Sequence, residues 1–418
     1  MRAHKVKWTE KMGPLHRRAV RAALRAARDQ GASLYLVGGT VRDILLGKRP
    51  TDLDLMIEGG PEQFARAMAG LLRADWHYEP RFLTACIFIE GEPIDISRAR
   101  RETYARPGAL PQVFPARAAE DLMRRDFSVN AMAVCLAGPD RGRALDPCGG
   151  CRDVRGAILR VLHDASFTDD PTRILRGIRL AARLGFSFDD GTRRLAIAAV
   201  RSGMVRRVSA DRIRQEICLL LDEPDPAAAL SLGKRLGLTD AILPGLSSGR
   251  RLSDALARAR EYGRLVSERD RREILLLCVL AFSAQPIEAA RCLGLSGSAL
   301  DAVKVMSKAR RSLARRLTRA RPSAVVRVLD ALPLQVVIAL ASAATSRQAR
   351  EQMVQYLKRW RSVKPKITGD DLLRLGFAEG AALGAALRAA RDAQLDGKAT
   401  TRKQQMLVAL ARLASAGI

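Results

Sequence analysis

Between residues 30 and 140 the apolar positions come in short runs, "SLYLVGG" (33–39), "TDLDLMIEG" (51–59), "TACIFIE" (84–90), "PIDISRA" (93–99) and "FSVNAMAVCL" (127–136). Their length, alternation and β-branched content predict strands, and "PEQFARAMAGLLRA" (61–74) has helical spacing among them, so this part is expected to be α/β. From about residue 155 the period changes to that of helices, as in "PTRILRGIRLAARLGF", "DRIRQEICLLL", "REILLLCVLAF" and "RVLDALPLQVVIALASAA", with Gly and Pro at the breaks. The remainder is expected to be a long all-helical array, with internal boundaries near 205 and 345. No fixed-period repeat and no low-complexity tract interrupts it.

A chain of 418 residues with 48% hydrophobic residues can bury several cores, and extended disorder is excluded. No run of about eighteen apolar residues spans a bilayer, and the N-terminal "MRAHKVKWTEKMGPLHRRAV" lacks the apolar core of a secretory signal, so no membrane partner and a cytoplasmic address are expected. The seven cysteines are odd in number and scattered, which fits reduced thiols. Charge changes the picture most. Against 44 Asp and Glu stand 72 Lys and Arg, a formal +28 that attracts polyanions, nucleic acid first among them. An arginine-rich proteome would inflate the same number. Aromatics are only 4%, so phosphate contact is expected to outweigh base stacking.

Candidate chemistry gathers in four segments. In "YLVGGTVRD" a strand would feed a helix through Gly38 and Gly39, whose missing side chains admit a ligand to the helix start, and Arg42 could add a charged fork. Ordinary turns before helices have the same look. In "TDLDL", Asp52 and Asp54 would face the same side of a strand, and two like charges so close suit a divalent cation of the Mg²⁺ type; a solvated strand edge is the plainer alternative. Asp95 in "PIDIS" could supply a third carboxylate. In "EDLMRRDFSVNAMA", Arg124 and Arg125 are phosphate-seeking forks, Asp126 can accept from sugar hydroxyls and Asn130 can brace the loop, unless this is only a charged helix end. In "SFTDDPTRILRGIRLAARLGF", Asp170 and Arg173 lie three apart as if on one helical face, with Arg176, Arg179 and Arg183 as a basic stripe. Most such pairs are surface ion pairs.

In this order, "LVGGTVRD", "DLDL", "RRDFSVNA" and "DDPTRILRGIRLAARLGF" resemble the motifs of the class II tRNA nucleotidyltransferase and bacterial poly(A) polymerase family. "RRLTRARPSAVVRVLDALPLQ" and the segment beginning "ITGDDLLRLGF" are similar to the helical body and tail of tRNA-directed members. The resemblance implies an α/β nucleotidyltransferase (polymerase-β-like) head over 1–140, a base-reading neck over 141–205, a helical body over 206–345 and a tRNA-binding helical tail over 346–418. It also implies that Asp52 and Asp54 hold two Mg²⁺ ions. Gly38, Gly39 and Arg42 would cradle the triphosphate, and Asp126 would contact the ribose. Asp170 and Arg173 would read the base of CTP or ATP, with Arg176 supporting them. The expected reaction is template-independent transfer of C and/or A to the tRNA 3′ end. A poly(A) polymerase would share every motif, and a non-catalytic RNA-binding protein would share the charge but give no reason for the aspartate pair.

Three departures bear on which member this is: Asp169 stands where Glu is usual, Thr40 where a smaller residue is commoner, and "LGFAEGAAL" lacks a Pro-Gly. The "DDPT" form with "ETYARPGALP" leans toward the branch that divides C and A addition between two enzymes. Three further features carry weaker signals. Cys148 and Cys151 form a lone C-x-x-C, thin support for zinc; His163–Asp164 lacks companion histidines; and "KARRSLARRLTRAR" places Arg311, Arg315 and Arg319 four apart, for RNA phosphate or simply for solvent.

Overall fold

Tyr35 and its neighbours Leu34, Leu36 and Val37 are all buried, because their strand runs through the middle of a sheet with both faces covered. The computed structural model describes residues 8–415, and its chain divides into two units, residues 1–241 and residues 242–418.

In the first unit, α1 (Pro14–Asp29) leads into β1 (Ser33–Val37), and α2 (Gly38–Leu45) follows with no intervening residue. Then come β2 (Leu53–Glu58), α3 (Pro61–Leu72), β3 (Asp75–Glu79), β4 (Thr84–Ile89) and β5 (Glu92–Arg98). A separate hairpin, β6 (Arg100–Thr103) with β7 (Gln112–Pro115), precedes α4 (Ala118–Met123), β8 (Ala133–Ala137) and β9 (Ala144–Leu145). The main sheet has the order β3-β4-β5-β2-β1-β8-β9, mixed because β2 and β5 are parallel while the other pairs are antiparallel. Period-2 alternation sends Leu53, Leu55, Ile57, Ile87, Ile94 and Ile96 to the face under α1 and α3. The other face carries Tyr35, Val37 and Met56 against Ala118 and Leu122 of α4, and beside them the open ground of the candidate site.

Beyond the sheet the unit becomes helical, with α5 (Gly150–Arg155), β10 (Ile158–Leu159), α6 (Ser166–Asp169), α7 (Thr172–Leu184), β11 (Ser187–Phe188), α8 (Asp190–Arg201) and α9 (Ala210–Asp222). The α/β part followed by a mostly helical remainder is the expected class. Two details differ. The parallel pair β10–β11 interrupts the helical stretch, two residues on each side being too short to register as a period. "FSVNAMAVCL" is not one strand: Ser128–Asn130 is a turn of 3₁₀ helix, and β8 begins only at Ala133.

In the second unit the segment Leu334–Ala343 is buried on nearly all sides, and Ile367, Leu372, Leu383, Ala386, Ala390, Ala409 and Leu413 form a further core near the chain end. The helix Gly297–Leu317 carries the exposed Arg311 and Arg315, but it stops before Arg319. Thr318 caps it, its hydroxyl donating to the Ala314 carbonyl (2.7 Å), and Arg319 takes a left-handed φ of 61°. The three arginines therefore do not share a helical face; two do. No single helix among the described residues is long and apolar enough to cross a membrane.

Candidate active site

The passage from β1 to α2 needs glycine. Gly38 has φ +65°, and a Cβ there would stand 2.9 Å from Arg125 Nη1 and 3.3 Å from Asp54 Oδ2. The amide of Gly38 donates to the Met132 carbonyl (3.2 Å), so the amides open to a ligand begin at Gly39. Arg42 is not an open fork. It is 4% exposed and lies behind the turn, donating from Nη1 to Asn130 Oδ1 (2.7 Å) and from Nε to Asp43 (2.9 Å).

Asp54 lies in β2 directly across from Asp95 of β5, while Asp52 falls in the bend one residue before the strand and is exposed. The strand expected to carry both Asp52 and Asp54 begins only at Leu53, so Asp52 approaches from its entrance, and it is Asp95 that stands beside Asp54 in the register. Burial pushes the Asp54 carboxyl up to about 6; Arg125 and Arg42 oppose this, while Asp95 and Asp52 reinforce it. Burial likewise raises Asp95, which accepts from the Cys86 thiol opposite it. Thr40, buried at 1% exposure, joins these parts: its hydroxyl donates to the Asp52 carbonyl (3.0 Å) and accepts from the Asp54 amide (2.9 Å).

The glycine turn, Asp54 and Asp95 border a cavity of about 660 Å³, together with Arg124, Arg125, Asp126, Asn130, Asp170, Arg173 and Arg176. Asp52 and Arg42 do not line it, and Arg311, Arg315 and Arg319 belong to the other unit. Asp126 accepts from the Phe127 amide (2.9 Å), from Asn130 Nδ2 (3.1 Å) and from Arg176 Nε (3.1 Å). Burial works against its charge, but Arg176, the Asn130 hydrogen bond and Arg173 outweigh it and hold the carboxyl below the usual range. Arg124 and Arg125, expected as phosphate forks, both grip the buried Asp121, at 2.6 Å and 2.9 Å; Arg124 also reaches Glu102 (2.6 Å). The basic stripe of α7 is paired too, Arg179 with Glu216 (3.0 Å) and Arg183 with Glu223.

Asp170 is not on the helix with Arg173. It sits before Pro171, which caps α7, with φ −136° and ψ 95°, and accepts from the Thr172 amide (3.1 Å) and hydroxyl (2.6 Å). The proline forces the residue before it out of helical geometry. Arg173, 6% exposed, donates to Ser166 Oγ (2.8 Å), the Arg124 carbonyl (2.9 Å) and Tyr104 Oη (3.5 Å). Arg212 of α9 grips Asp170 at 2.9 and 3.0 Å. Asp121, three and four residues before its arginines, was open to a spacing argument; Arg212 was not, because its partner lies 42 residues away. Cys148 and Cys151 are free thiols beside Met123 and Met132 (3.5 and 3.6 Å). As the side chains stand, no three His, Cys, Asp or Glu residues converge at metal-binding geometry among the described residues.

The family model described as Poly A polymerase head domain matches residues 34–160, which hold the glycine turn, Asp52, Asp54 and Asp95, and the model for a probable RNA- and SrmB-binding site of polymerase A matches 185–249. Over these two segments the chain is similar to the tRNA nucleotidyltransferase and poly(A) polymerase family. Among members of this family it is 40% identical over 232 residues to an A-adding tRNA nucleotidyltransferase of Halalkalibacterium halodurans, covering 55% of this chain and 54% of the relative. It is 32% identical over 394 residues to one of Geobacter sulfurreducens, covering 90% of this chain and 45% of the relative. The chain spans about half the length of these curated relatives. A solved CCA-adding enzyme in an apo form superposes with a TM-score of 0.83 at 28% identity, covering 98% of this chain and 99% of the other. The Thermotoga maritima CCA-adding enzyme complexed with tRNA does so with a TM-score of 0.78 at 27% identity, covering 98% of both.

Proposed function

We propose that this protein transfers C and/or A from CTP or ATP to the 3′ end of tRNA without a template. The observation that carries the reading is the cavity in which the Asp54–Asp95 pair, set against the Gly38–Gly39 turn, faces the Asp126 and Asp170 acceptors. Relatives named for A addition and CC addition, and solved relatives complexed with ATP, CTP and tRNA, support the substrate class.

The donors at the aspartate sites are hard oxygens, and a carboxyl raised first by burial and then by the neighbouring Asp95 and Asp52 charges is relieved by a divalent cation, so Mg²⁺ fits Asp52 and Asp54, with Asp95 beside them. Two such ions would supply charge neutralisation at the triphosphate and a more acidic 3′-hydroxyl. The remaining work falls to the chain. The amides at the start of α2, from Gly39 onward, orient phosphate oxygens with the positive end of the helix. Asp126, held ionised by Arg176, accepts from the ribose hydroxyls. The Asp170 carboxylate oxygens accept from an exocyclic amine, which cytosine and adenine present on their pairing edges and uracil does not. The 3′-oxygen of the RNA then attacks the α-phosphorus in line, its bond forming as the bond to the bridging oxygen of pyrophosphate breaks. We retain the division into head, neck, body and tail as part of the proposal, with the tail and body as the RNA-binding surface.

The test is incubation with tRNAs ending before, within and after CC, one nucleotide at a time, with product sizing. Addition stopping at one or a few defined residues is expected, and the A-adding names of the relatives make AMP transfer onto a tRNA ending in CC the first form to examine. Long tails on unstructured RNA would replace the reading with a poly(A) polymerase, and no incorporation would overturn it.

A further inference from the structure

Arg212 is a residue that neither the motif order nor the expected base-reading pair includes, yet it sits on the expected reader. Its Nη2 donates to both oxygens of Asp170 (2.9 and 3.0 Å), and its Nη1 donates to the Gly108 carbonyl (3.1 Å), which pins the guanidinium from the other side. The Gly108 amide in turn donates to the Asp169 carbonyl (3.2 Å), so the clamp closes on the same short stretch of chain. Both Arg212 and Asp170 border the cavity and are only partly exposed, at 24% and 18% of their side chains.

The two oxygens of Asp170 are unequally engaged. Oδ1 accepts from the Thr172 amide, the Thr172 hydroxyl and Arg212, whereas Oδ2 accepts from Arg212. Oδ1 has no acceptor capacity to offer a nucleotide, while Oδ2 retains lone-pair room. We propose that Arg212 determines nucleotide specificity by fixing Asp170 as a one-sided acceptor, with Oδ2 alone presented to the amine of an incoming cytosine or adenine. The inference rests on the nucleotidyl-transfer reading above and deepens it. Arg173 cannot do this work: it is nearly buried and directed at Ser166, Tyr104 and the Arg124 carbonyl. A guanidinium suits the task where an ammonium does not, since one planar fork reaches a carboxylate and a carbonyl together.

Without Arg212 the carboxylate is held by Thr172 at Oδ1 alone and is free to swing, so Oδ2 is no longer presented at one fixed position to the base. A single hydrogen bond from the base to a charged acceptor is worth roughly tenfold or more in discrimination. The experiment is single-turnover incorporation of all four nucleotides on tRNA by wild type, R212A, R212K, D170N and R212A/D170N, with a thermal melt of each. R212A is expected to narrow the ratio of preferred to rejected nucleotides by about tenfold or more, mainly by slowing the preferred one. R212K is expected to stay near R212A, and R212A in the D170N background is expected to add no further change. Wild-type ratios in R212A or in R212K, or independent losses that multiply in the double variant, would overturn the proposal. Failure of wild type itself to incorporate any nucleotide would instead remove the functional reading on which it rests. A melt that falls while the ratios hold would assign Arg212 to structure alone and overturn the proposal equally.

Discussion

Residues 1–241 bury His16, Arg42, Asp121, Asp126, Asp153, Arg173 and Glu223, whereas the buried polar side chains of residues 242–418 are Ser283, Ser323, Ser342 and Gln405, none of them charged, among the described residues. The two units solve different problems. Burying an ion costs several kcal/mol unless partners compensate it, so such groups add little net stability even when well paired. Their gain is geometric: Asp121 holds two arginines at the cavity wall, Asp126 is oriented by three donors, and Asp170 is gripped by Arg212. The second unit packs apolar helices and leaves Arg311 and Arg315 in water, where they contribute field rather than position. Charge therefore sets shape in one unit and long-range attraction in the other.

The strongest test of that contrast is to remove charge from the first unit and ask whether binding survives. Asp54→Asn should lower nucleotide transfer by on the order of a thousandfold or more while leaving tRNA affinity near wild type, because the carboxylates serve the chemistry and the exposed basic surface serves affinity. Quenched-flow incorporation and filter binding measure the two. Wild-type turnover in Asp54→Asn would break the assignment of the aspartates.

Next in size is stability. Asp121 is fully buried between Arg124 and Arg125, and Asp121→Ala leaves two partly buried guanidinium groups without their shared acceptor, at a cost of about 3–5 kcal/mol. Removing one partner of an exposed pair in the second unit, as in Lys304→Ala opposite Asp301, should leave the urea midpoint within measurement error. Equal losses in the two variants would erase the distinction between the units.

The class of fold was legible because it rests on local periods: the run at 33–37, the helix at 61–72 and the helical spacing after 155 each report their own burial. The site was legible as a set of residues but less so as an arrangement. Asp54 and Asp95 lie 41 positions apart and meet only through the parallel register of β2 and β5, which no local pattern encodes. The same holds for Arg212. Arg42, Arg124 and Arg125 looked like free forks because a sequence displays charge without its partner; Asp43 and Asp121 were in plain view but their orientation was not. Asp170 and Arg173 showed helical spacing, yet the intervening Pro171 carried the information that the helix starts after the first of them. Arg319 was misplaced by the reverse error, continuing a four-residue spacing past a helix end that Thr318 marks.

Thr40 allows a smaller and sharper test within the first unit. It ties the start of α2 to the backbone of both aspartates, so Thr40→Ala leaves a buried amide without its acceptor, a loss of about 1–3 kcal/mol. Because the turn and the aspartates then move independently, kcat should fall by roughly tenfold while KM for the nucleotide changes less. Thr40→Ser keeps the hydroxyl and should recover most of the rate. A Thr40→Val variant, nearly equal in volume, separates the hydroxyl from packing: full activity there would show that the bridge has no part in the alignment.

The smallest expected effect lies in the second unit, where Arg311 and Arg315 share the exposed face of the Gly297–Leu317 helix. If they meet RNA phosphates, each displaces condensed counterions, and replacing both with Glu should reduce the slope of log affinity against log salt by about two, with affinity falling several-fold at low salt and less at high salt. Arg319, past the helix end, should not contribute, and Arg319→Glu alone is expected to leave the slope unchanged. Incorporation rate at saturating tRNA should be unaffected in all of these, since field and position are supplied by different units. A reduced rate at saturation with an unchanged salt slope would reverse that division, giving the second unit a positioning role and removing its arginines from the electrostatic one.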